Sequence, residues 1–182
     1  MRHKLDSDTT LRSVEIKDVE ALFLVVDGHR SHLRPWLPWV DQTRSSDDTR
    51  AFVEMSIENE KNGSGLAAII ENRSGVCGVV GLDSIDVKNG SSDIGYWLRE
   101  DVQGRGLATR AVACVIEYAF ATLGLNRLSI RAAPENRRSR AVAERLGFQE
   151  EGILREAERH GDRFTDVVSY SLLRRDHENR KA

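Results

Sequence analysis

Two glycines lie in a short segment whose residue types suit the binding of phosphate. Gly104 and Gly106 fall within the segment from Gln103 to Thr109, which reads QGRGLAT. Glycine lets the backbone turn tightly and approach a ligand closely. A helix is predicted just after this segment, and the first N–H groups of a helix have no partner inside it and attract anions. The spacing therefore predicts a phosphate site, with a plain tight turn as the alternative.

A strand and a helix must position this turn. Residues 93–98, DIGYWL, read as a strand, and residues 110–122 read as a helix with one apolar face. The apolar positions are Leu107, Ala111, Val115 and Ala119, with Val112, Ile116 and Phe120 beside them. Another strand is predicted at 127–132, and the succession of strand, helix and strand predicts a parallel crossover.

The remaining pattern predicts an α/β fold with a mixed sheet. Apolar runs between turn residues predict strands at 66–71, 76–82 and 93–98, which should pair antiparallel because they are close in sequence. Further strands are predicted at 10–14, 148–154 and 164–173, and helices at 15–28, 49–61 and about 134–146. The polar segment 155–163 is predicted to be a connection, and the charged tail from about 174 to 182 a frayed end. The length fits one domain over residues 1–182.

The composition is typical of a soluble globular protein. Hydrophobic residues make up 40% of the 182 residues, charged residues 31%, and the formal net charge is −2. That charge argues against a general nucleic-acid-binding protein. No apolar run is long enough to span a bilayer, and the first residues lack the pattern of a signal peptide, so we expect a cytoplasmic protein. Cys77 and Cys114 lie among apolar residues and are predicted to be buried free thiols, and no His/Cys spacing indicates a metal site.

Neighbouring residues reduce the number of candidate ligands for the glycine turn but do not leave a single one. A P-loop needs a lysine directly after its last glycine, and none stands here. A dinucleotide-binding turn needs a third glycine where Thr109 stands. Arg131, on the next strand, could still accept the 2′-phosphate of NADP. The three strands that precede the motif argue against this fold, which normally begins with the motif.

Two tryptophans stand close together in a proline-containing segment. Trp36 and Trp39 are two of the three tryptophans of the chain, and Pro35 and Pro38 break regular helix there. The rings could cover the core beneath a loop. They could equally form the wall of an acceptor pocket, since aromatic side chains commonly line ligand sites.

Coenzyme A is a third phosphate-bearing candidate, and here the sequence resembles a known family. Residues 103–108, QGRGLA, match the Gln/Arg-x-x-Gly-x-Gly/Ala signature of the GNAT superfamily of acyl-CoA-dependent N-acyltransferases. Other segments are similar to the branch of the RimJ and RimL ribosomal-protein N-acetyltransferases: 33–39 (LRPWLPW), 94–98 (IGYWL), 136–141 (NRRSRA), 146–148 (LGF), 151–155 (EGILR) and 166–173. The resemblance implies a GNAT fold with a mixed central sheet of about six to seven strands flanked by helices. It also implies acetyl-CoA as co-substrate and no metal.

The resemblance implies which residues hold coenzyme A. The amides of the glycine turn are expected to bind the pyrophosphate, and Asn136 to bond the pantetheine arm. The preceding strand is expected to offer main-chain groups to the pantetheine, and the N–H of Leu98 to stabilise the oxyanion. Arg140 or Arg137 could neutralise the 3′-phosphate, with a solvated helix face as the alternative for each. The implied set is Trp97, Leu98, Arg99, Gln103, Gly104, Arg105, Gly106, Leu107, Ala108, Thr109, Asn136 and Arg140.

The same resemblance implies direct transfer without an acyl-enzyme. A protonated amine cannot attack a thioester, so a general base must remove its proton. Glu158 matches the base of the family, and Asp93 is the rival because other branches carry a carboxylate on that strand. Ser139 matches the acid that protonates the departing thiolate, with a capping role at a helix start as its alternative. Trp36 and Trp39 are implied to bind the acceptor.

The resemblance therefore implies transfer of an acetyl group from acetyl-CoA to a primary amine. The expected acceptor is the α-amine of a protein N-terminus, such as that of a ribosomal protein. A small-molecule amine is the alternative acceptor, and a non-catalytic acyl-CoA-binding module is the alternative of another class. RimL-like relatives also imply a homodimer.

Overall fold

Eight strands form one mixed sheet in this computed structural model, which describes residues 1–180. The strands are β1 (Arg2–Lys4), β2 (Thr10–Ser13), β3 (Leu66–Asn72), β4 (Gly75–Asp86), β5 (Ser91–Leu98), β6 (Arg127–Ala132), β7 (Gln149–His160) and β8 (Arg163–Leu173). Their order across the sheet is β1-β2-β3-β4-β5-β6-β8-β7. Every neighbouring pair is antiparallel except β5 and β6, which are parallel.

Helices cover both faces of the sheet. They are α1 (Val19–Gly28), α2 (Arg30–Leu33), α3 (Ser46–Asn62), α4 (Leu107–Glu117), α5 (Arg137–Leu146) and α6 (Arg174–Asn179). Short 3₁₀ turns lie at Ile16–Asp18, Pro38–Asp41 and Glu100–Val102, and α4 continues as a π turn at Tyr118–Thr122. No helix of residues 1–180 is both long and apolar enough to cross a membrane.

Two apolar layers hold the helices to the sheet. On one face, Val19 and Leu22 of α1 and Val53 of α3 pack against buried strand residues such as Ile69. On the other face, Val112 and Ile116 of α4 and Val142 of α5 pack against the sheet at Leu82, Ile94 and Leu128. Alternate residues along β4 and β5 supply the two layers, as the twofold side-chain period of a strand requires.

The predicted fold class is confirmed, with one difference in strand number. The three antiparallel strands β3, β4 and β5 and the parallel crossover from β5 through α4 to β6 are present. The sheet has eight strands rather than six to seven, because β1 pairs with β2 at the edge. The three residues of β1 are all exposed, so they carry no hydrophobic pattern from which a strand could be predicted.

The prediction of a connection at 155–163 is wrong, because β7 and β8 extend through it as a hairpin. His160 pairs with Arg163 across a tight turn in which Gly161 has a left-handed φ of 61°. Every residue of β7 is exposed or half-exposed. Apolar and polar residues do not alternate along this strand, and such alternation is the pattern that predicts a strand from sequence.

The charged tail is not a frayed end over its described part. Residues 174–179 form α6, and Arg174 anchors its start, with its N–H donating to the Asn126 carbonyl at 2.9 Å and its guanidinium donating to the Leu125 carbonyl. His177 of α6 bonds Glu117 at 2.7 Å. Residues 181 and 182 of the predicted tail lie outside the described residues.

Candidate active site

The parallel strands β5 and β6 pair over three residues and then separate. Ser91, Ser92 and Asp93 of β5 are in register with 127–129 of β6. Beyond that point β5 continues to Leu98 beside β4, whereas β6 continues beside β8. The separation opens a cleft in the middle of the sheet and exposes one edge of the second half of β5.

The glycine turn forms the far end of this cleft and presents a row of amides. Gly104 and Gly106 have left-handed φ angles of 76° and 69°, which favour glycine. Gly106 is the N-cap of α4, and the helix ladder starts with the N–H of Arg110 donating to the Gly106 carbonyl at 3.0 Å. Among the described residues, no acceptor is bonded to any N–H from Gly104 to Thr109. This row suits an anion at the positive end of the helix dipole.

A basic cavity of about 1060 Å³ runs along the cleft and ends at this row of amides. Its described lining includes five arginines and one carboxylate: Arg110, Arg131, Arg137, Arg138, Arg145 and Glu135. Arg110 and Arg131 form ion pairs with Asp6 and Asp93, and the three arginines of α5 leave an excess of positive charge that favours a ligand with phosphate groups.

Side-chain hydrogen bonds hold the turn in place. Arg138 of α5 donates to Oε1 of Gln103 at 2.6 Å, and Arg145 donates to Oγ1 of Thr109 at 3.0 Å. The Gln103 amide nitrogen lies 2.6 Å from Nε2 of His32. Burial lowers the pKa of His32, which favours the neutral ring that accepts this bond. The turn is therefore fixed from α2 on one side and α5 on the other.

Ser139 and Tyr96 form a hydroxyl pair on the wall of the basic cavity. The Tyr96 hydroxyl lies 2.8 Å from Oγ of Ser139 and 3.0 Å from its carbonyl oxygen. The capping alternative for Ser139 does not hold, since the Asn136 side chain caps α5 by accepting from the Ser139 N–H at 3.1 Å. Burial raises the pKa of Tyr96 to about 12, although its bond to Ser139 acts in the opposite direction. Tyr96 therefore stays protonated at neutral pH.

An apolar cavity of about 680 Å³ lies beside α1 and α3 and meets the basic cavity at β5. Trp39 lines it and packs against Trp97, with ring centroids 6.1 Å apart. Leu37, Gly95, Tyr96 and Trp97 line both cavities. Trp36, by contrast, lines only the basic cavity. The two tryptophans are thus brought to different chambers, and both line a cavity rather than only covering the core.

The two carboxylates named from the sequence lie outside the described linings of both cavities. Asp93 is in an ion pair with Arg131, and half of the Arg131 side chain is exposed. Glu158, on β7, is 40% exposed and lies 3.3 Å from Nε2 of His160. The hydrogen bond to Asp93 raises the pKa of Arg131, and the charge of Glu158 adds to the same shift, so Glu158 lies within electrostatic range of the Asp93–Arg131 pair.

Most of the implied coenzyme-binding residues line the basic cavity. These are Trp97, Leu98, Gln103, Gly104, Gly106, Leu107, Ala108, Thr109 and Asn136. Arg99, Arg105 and Arg140 do not. The Arg99 guanidinium contacts the Val76 carbonyl and Asp101, and the Arg105 side chain is exposed within the turn. Arg140 donates to the Tyr170 hydroxyl at 2.8 Å, which turns it toward β8. The side of α5 that faces the cavity carries Arg137 and Arg138 instead.

The cysteines are free thiols in a protected environment. Cys77 is buried and Cys114 is half-buried, and burial raises the pKa of both thiols. Neither residue lines a described cavity. Within residues 1–180, no group of three or more His, Cys, Asp or Glu side chains could hold a metal ion.

Sequence analysis missed Tyr96 and Asp83 as site residues. Tyr96 lies within IGYWL, where it reads as an apolar strand residue, and its partner Ser139 is 43 residues away. Asp83, near the end of β4, lines the apolar cavity, and no motif surrounds it.

The fold and the site together define a group-transfer enzyme. A basic cavity and an apolar cavity meet beside a pair of hydroxyls, an arrangement suited to transfer of a group between two bound substrates.

Comparison with known proteins identifies the family. The model of the acetyltransferase (GNAT) domain matches residues 8–149. A putative ribosomal N-acetyltransferase of Bacillus subtilis (strain 168), YdaF, is 35% identical over 179 residues, which are 98% of each chain. The structure of RimL, a ribosomal-protein α-N-acetyltransferase in complex with coenzyme A, gives a TM-score of 0.90 at 28% identity, covering 95% of this chain and 98% of that one. The microcin self-immunity acetyltransferase MccE, in complex with acetyl-CoA and AMP, gives 0.88 at 29% identity and covers 93% of this chain and 94% of that one.

The chain therefore belongs to the GNAT acetyltransferase family, in the branch with RimL and RimJ. It is an N-acetyltransferase of this acetyl-CoA-dependent class.

Proposed function

We propose that this chain transfers an acetyl group from acetyl-CoA to the α-amine of a protein N-terminus. The observation that carries the proposal is the meeting of a basic and an apolar cavity at β5, beside the hydroxyls of Tyr96 and Ser139. The ribosomal N-acetyltransferases among the relatives support a protein as acceptor.

Coenzyme A fits the basic cavity by its chemistry. The unpaired N–H groups from Gly104 to Thr109 supply donors for the pyrophosphate. Arg137 and Arg138 line the cavity at the start of α5, and we assign the 3′-phosphate to them rather than to Arg140. The open edge of β5 offers main-chain groups to the pantetheine arm. The Asn136 oxygen is taken by the helix cap, so its amide NH₂ is the group assigned to the pantetheine.

The proposed reaction is direct attack of the amine on the thioester. An α-amine has a pKa of about 7.7–8.0, so a base must remove a proton from much of it at neutral pH. We assign this role to Glu158, acting through water because it lies outside the cavity lining, and keep Asp93 as the rival. Ser139, supported by Tyr96, gives a proton to the departing thiolate.

A small-molecule amine is the second candidate acceptor. The apolar cavity, at about 680 Å³, has the size of a typical small-molecule site. MccE, which resembles this chain over most of its length, is a self-immunity enzyme whose structure holds AMP, so protein N-termini are not the only acceptors to consider.

Thiol release tests the proposed function. The purified chain is mixed with acetyl-CoA and a panel of amines: N-terminal peptides of ribosomal proteins, the same peptides with blocked α-amines, spermidine and an amino sugar. We expect thiol release with the free peptides and none with the blocked ones. Release only with the small amines would replace the acceptor class. Binding of coenzyme A without thiol release from any amine would refute transfer.

We also propose that the chain forms a homodimer in the cytoplasm. β7 is an edge strand, and β7 and β8 expose Ile153, Leu154 and Phe164, whose exposed fractions are 56%, 46% and 61%. A second copy could cover this apolar edge. Sedimentation velocity tests the assembly, and a monomer at micromolar concentration would contradict it.

A further inference from the structure

A third carboxylate, Asp83, reaches the boundary between the two cavities. Asp83 lies opposite Asp93 in the pairing of β4 with β5 and lines the apolar cavity. A Cβ atom placed on Gly95 would lie 2.8 Å from Oδ2 of Asp83. Gly95 lines both cavities. Because Gly95 has no side chain, the Asp83 carboxylate occupies the space above it, where donor and acceptor meet.

Asp83 is the one charged side chain among the described residues that line the apolar cavity. Apart from Thr43, Thr49, Ser56, Asn59 and Ser84, the side chains around it are apolar or aromatic. No described residue donates a hydrogen bond to its carboxylate, although its main-chain carbonyl accepts from Ser92. Asp83 is exposed and lines the cavity, so its carboxylate is open to a cationic ligand there.

The charged neighbours of Asp83 reinforce this preference. Asp93 faces it across β4 and β5, and the charge of Asp93 is met by Arg131 of β6. The lining residues of α3 and of the 37–43 segment are uncharged, and Tyr96 is the remaining titratable group of the lining. Burial first, and then the charge of Asp93, raise the pKa of Asp83. A carboxylate of this kind is a stronger base than an ordinary aspartate.

We propose that Asp83 binds the ammonium group of the acceptor and takes its first proton, and that the apolar cavity holds the side chain next to that group. The acceptor would then be an α-amine whose first residue is apolar. This inference rests on the proposed function. Asp83 thereby takes over the removal of the ammonium proton from Glu158, since Glu158 and Asp93 lie outside the described cavity linings and Asp93 is already paired. Glu158 keeps the removal of the second proton, after the attack.

The protons balance with two acceptors and one donor. Asp83 takes one proton from the ammonium, and the free amine attacks the thioester carbonyl to form a C–N bond. Glu158, through water, takes a second proton from the nitrogen of the adduct. The C–S bond then breaks, and the thiolate takes a proton from Ser139. Asp83 and Glu158 give up their two protons: one returns through water to Ser139, and the other leaves to solvent. The net products are the acetylated amine, the free thiol and one proton.

The main test is Asp83→Asn, with tripeptides beginning with methionine or serine as acceptors. General-base catalysis contributes typically 10²–10⁴-fold, so we expect kcat/KM for the methionine peptide to fall by about 100-fold or more. The Kd of coenzyme A should stay within twofold. In the wild type, kcat/KM should fall at low pH with an apparent pKa above the usual range for an aspartate. This acid limb should be absent in Asp83→Asn. Asp47→Asn, the same change at an exposed position of α3, is the matched control.

A stability measurement separates this role from a structural one. The raised pKa means that charged Asp83 destabilises the folded state at neutral pH. Asp83→Asn should therefore melt no lower than the wild type at pH 7, while losing activity. A second variant, Gly95→Ala, would place a methyl group against Oδ2 of Asp83 and displace the carboxylate, and it should lower kcat/KM in the same direction.

The outcomes are distinguishable from failure of the proposed function. If the wild type acetylates no peptide, the proposed function fails. If it acetylates peptides but Asp83→Asn keeps kcat/KM within threefold, the role of Asp83 is refuted. The apolar cavity predicts that the methionine peptide is preferred over the serine peptide by about 10-fold or more, because burying an apolar side chain is favourable. Preference for serine would overturn that assignment.

Discussion

The variant Tyr96→Phe removes a single oxygen atom and tests the hydrogen bonds between Tyr96 and Ser139. At pH 8 the change deletes two hydrogen bonds, to Oγ and the carbonyl of Ser139. A neutral hydrogen bond contributes about 0.5–1.5 kcal/mol, and Ser139 can turn to solvent in the cavity, so we expect a loss of about 1 kcal/mol in the free energy of unfolding.

At high pH the same hydroxyl lowers the free energy of unfolding. Its pKa is raised from 10 to about 12 in the folded state. The unfolded chain therefore releases this proton first, so the wild type loses stability as pH rises from 10 toward 12. The loss is about 1.4 kcal/mol at pH 11, from the difference in bound protons between the two states. Tyr96→Phe has no such proton, and the two proteins should become equally stable near pH 11.

Urea unfolding at pH 8 and pH 11 measures both effects. The other tyrosines titrate alike in the two proteins and cancel in the difference. If that difference does not change between the two pH values, the Tyr96 hydroxyl is not buried in a bond to Ser139. In the same variant, loss of a hydrogen bond worth about 1 kcal/mol to Ser139 should lower kcat about fivefold. The double variant with Ser139→Ala should be no slower than Ser139→Ala alone, and multiplied losses would contradict the pairing.

Three further predictions concern the donor and the base. Gly106→Ala forces a left-handed φ of 69° on alanine, at about 1–2 kcal/mol, so calorimetry should show weaker binding of coenzyme A, and unchanged affinity would argue against the turn as the anion site. Arg138→Ala should raise the Kd of coenzyme A about 10-fold and reduce its salt dependence, whereas Arg175→Ala, an exposed control on α6, should leave it within twofold. Glu158→Gln should lower kcat more than Asp93→Asn, because the latter removes a carboxylate already paired with an arginine, and the reverse order of rates would make Asp93 the base.

Local sequence patterns placed most residues of the basic cavity in contiguous segments. The turn from Gln103 to Thr109 is contiguous, and its two glycines carry the conformation that the motif requires. Its helix starts at Leu107, three residues before the predicted start at residue 110, because Gly106 is itself the N-cap. Asn136 and Ser139 lie within one helical turn, so their motif also places them together. The family and fold class follow from such contiguous segments.

The acceptor half was less predictable because long-range packing builds it. Asp83 has no sequence signal, since its role depends on the missing side chain of Gly95 on the neighbouring strand. Arg140 and Arg138 are equally basic and lie on the same short helix, and only the helix orientation turns one toward Tyr170 and the other toward Gln103.

The sequence by itself determined the glycine turn, the parallel crossover and the family, because each is encoded by residues within one or two neighbouring elements. Only the tertiary structure decided that the cleft between β5 and β6 joins two cavities, that Tyr96 meets Ser139, and that Asp83 rather than Asp93 stands at the junction. The physical reason is that strand pairing and splaying set these distances. Both depend on contacts between residues far apart in the chain, which no local pattern records.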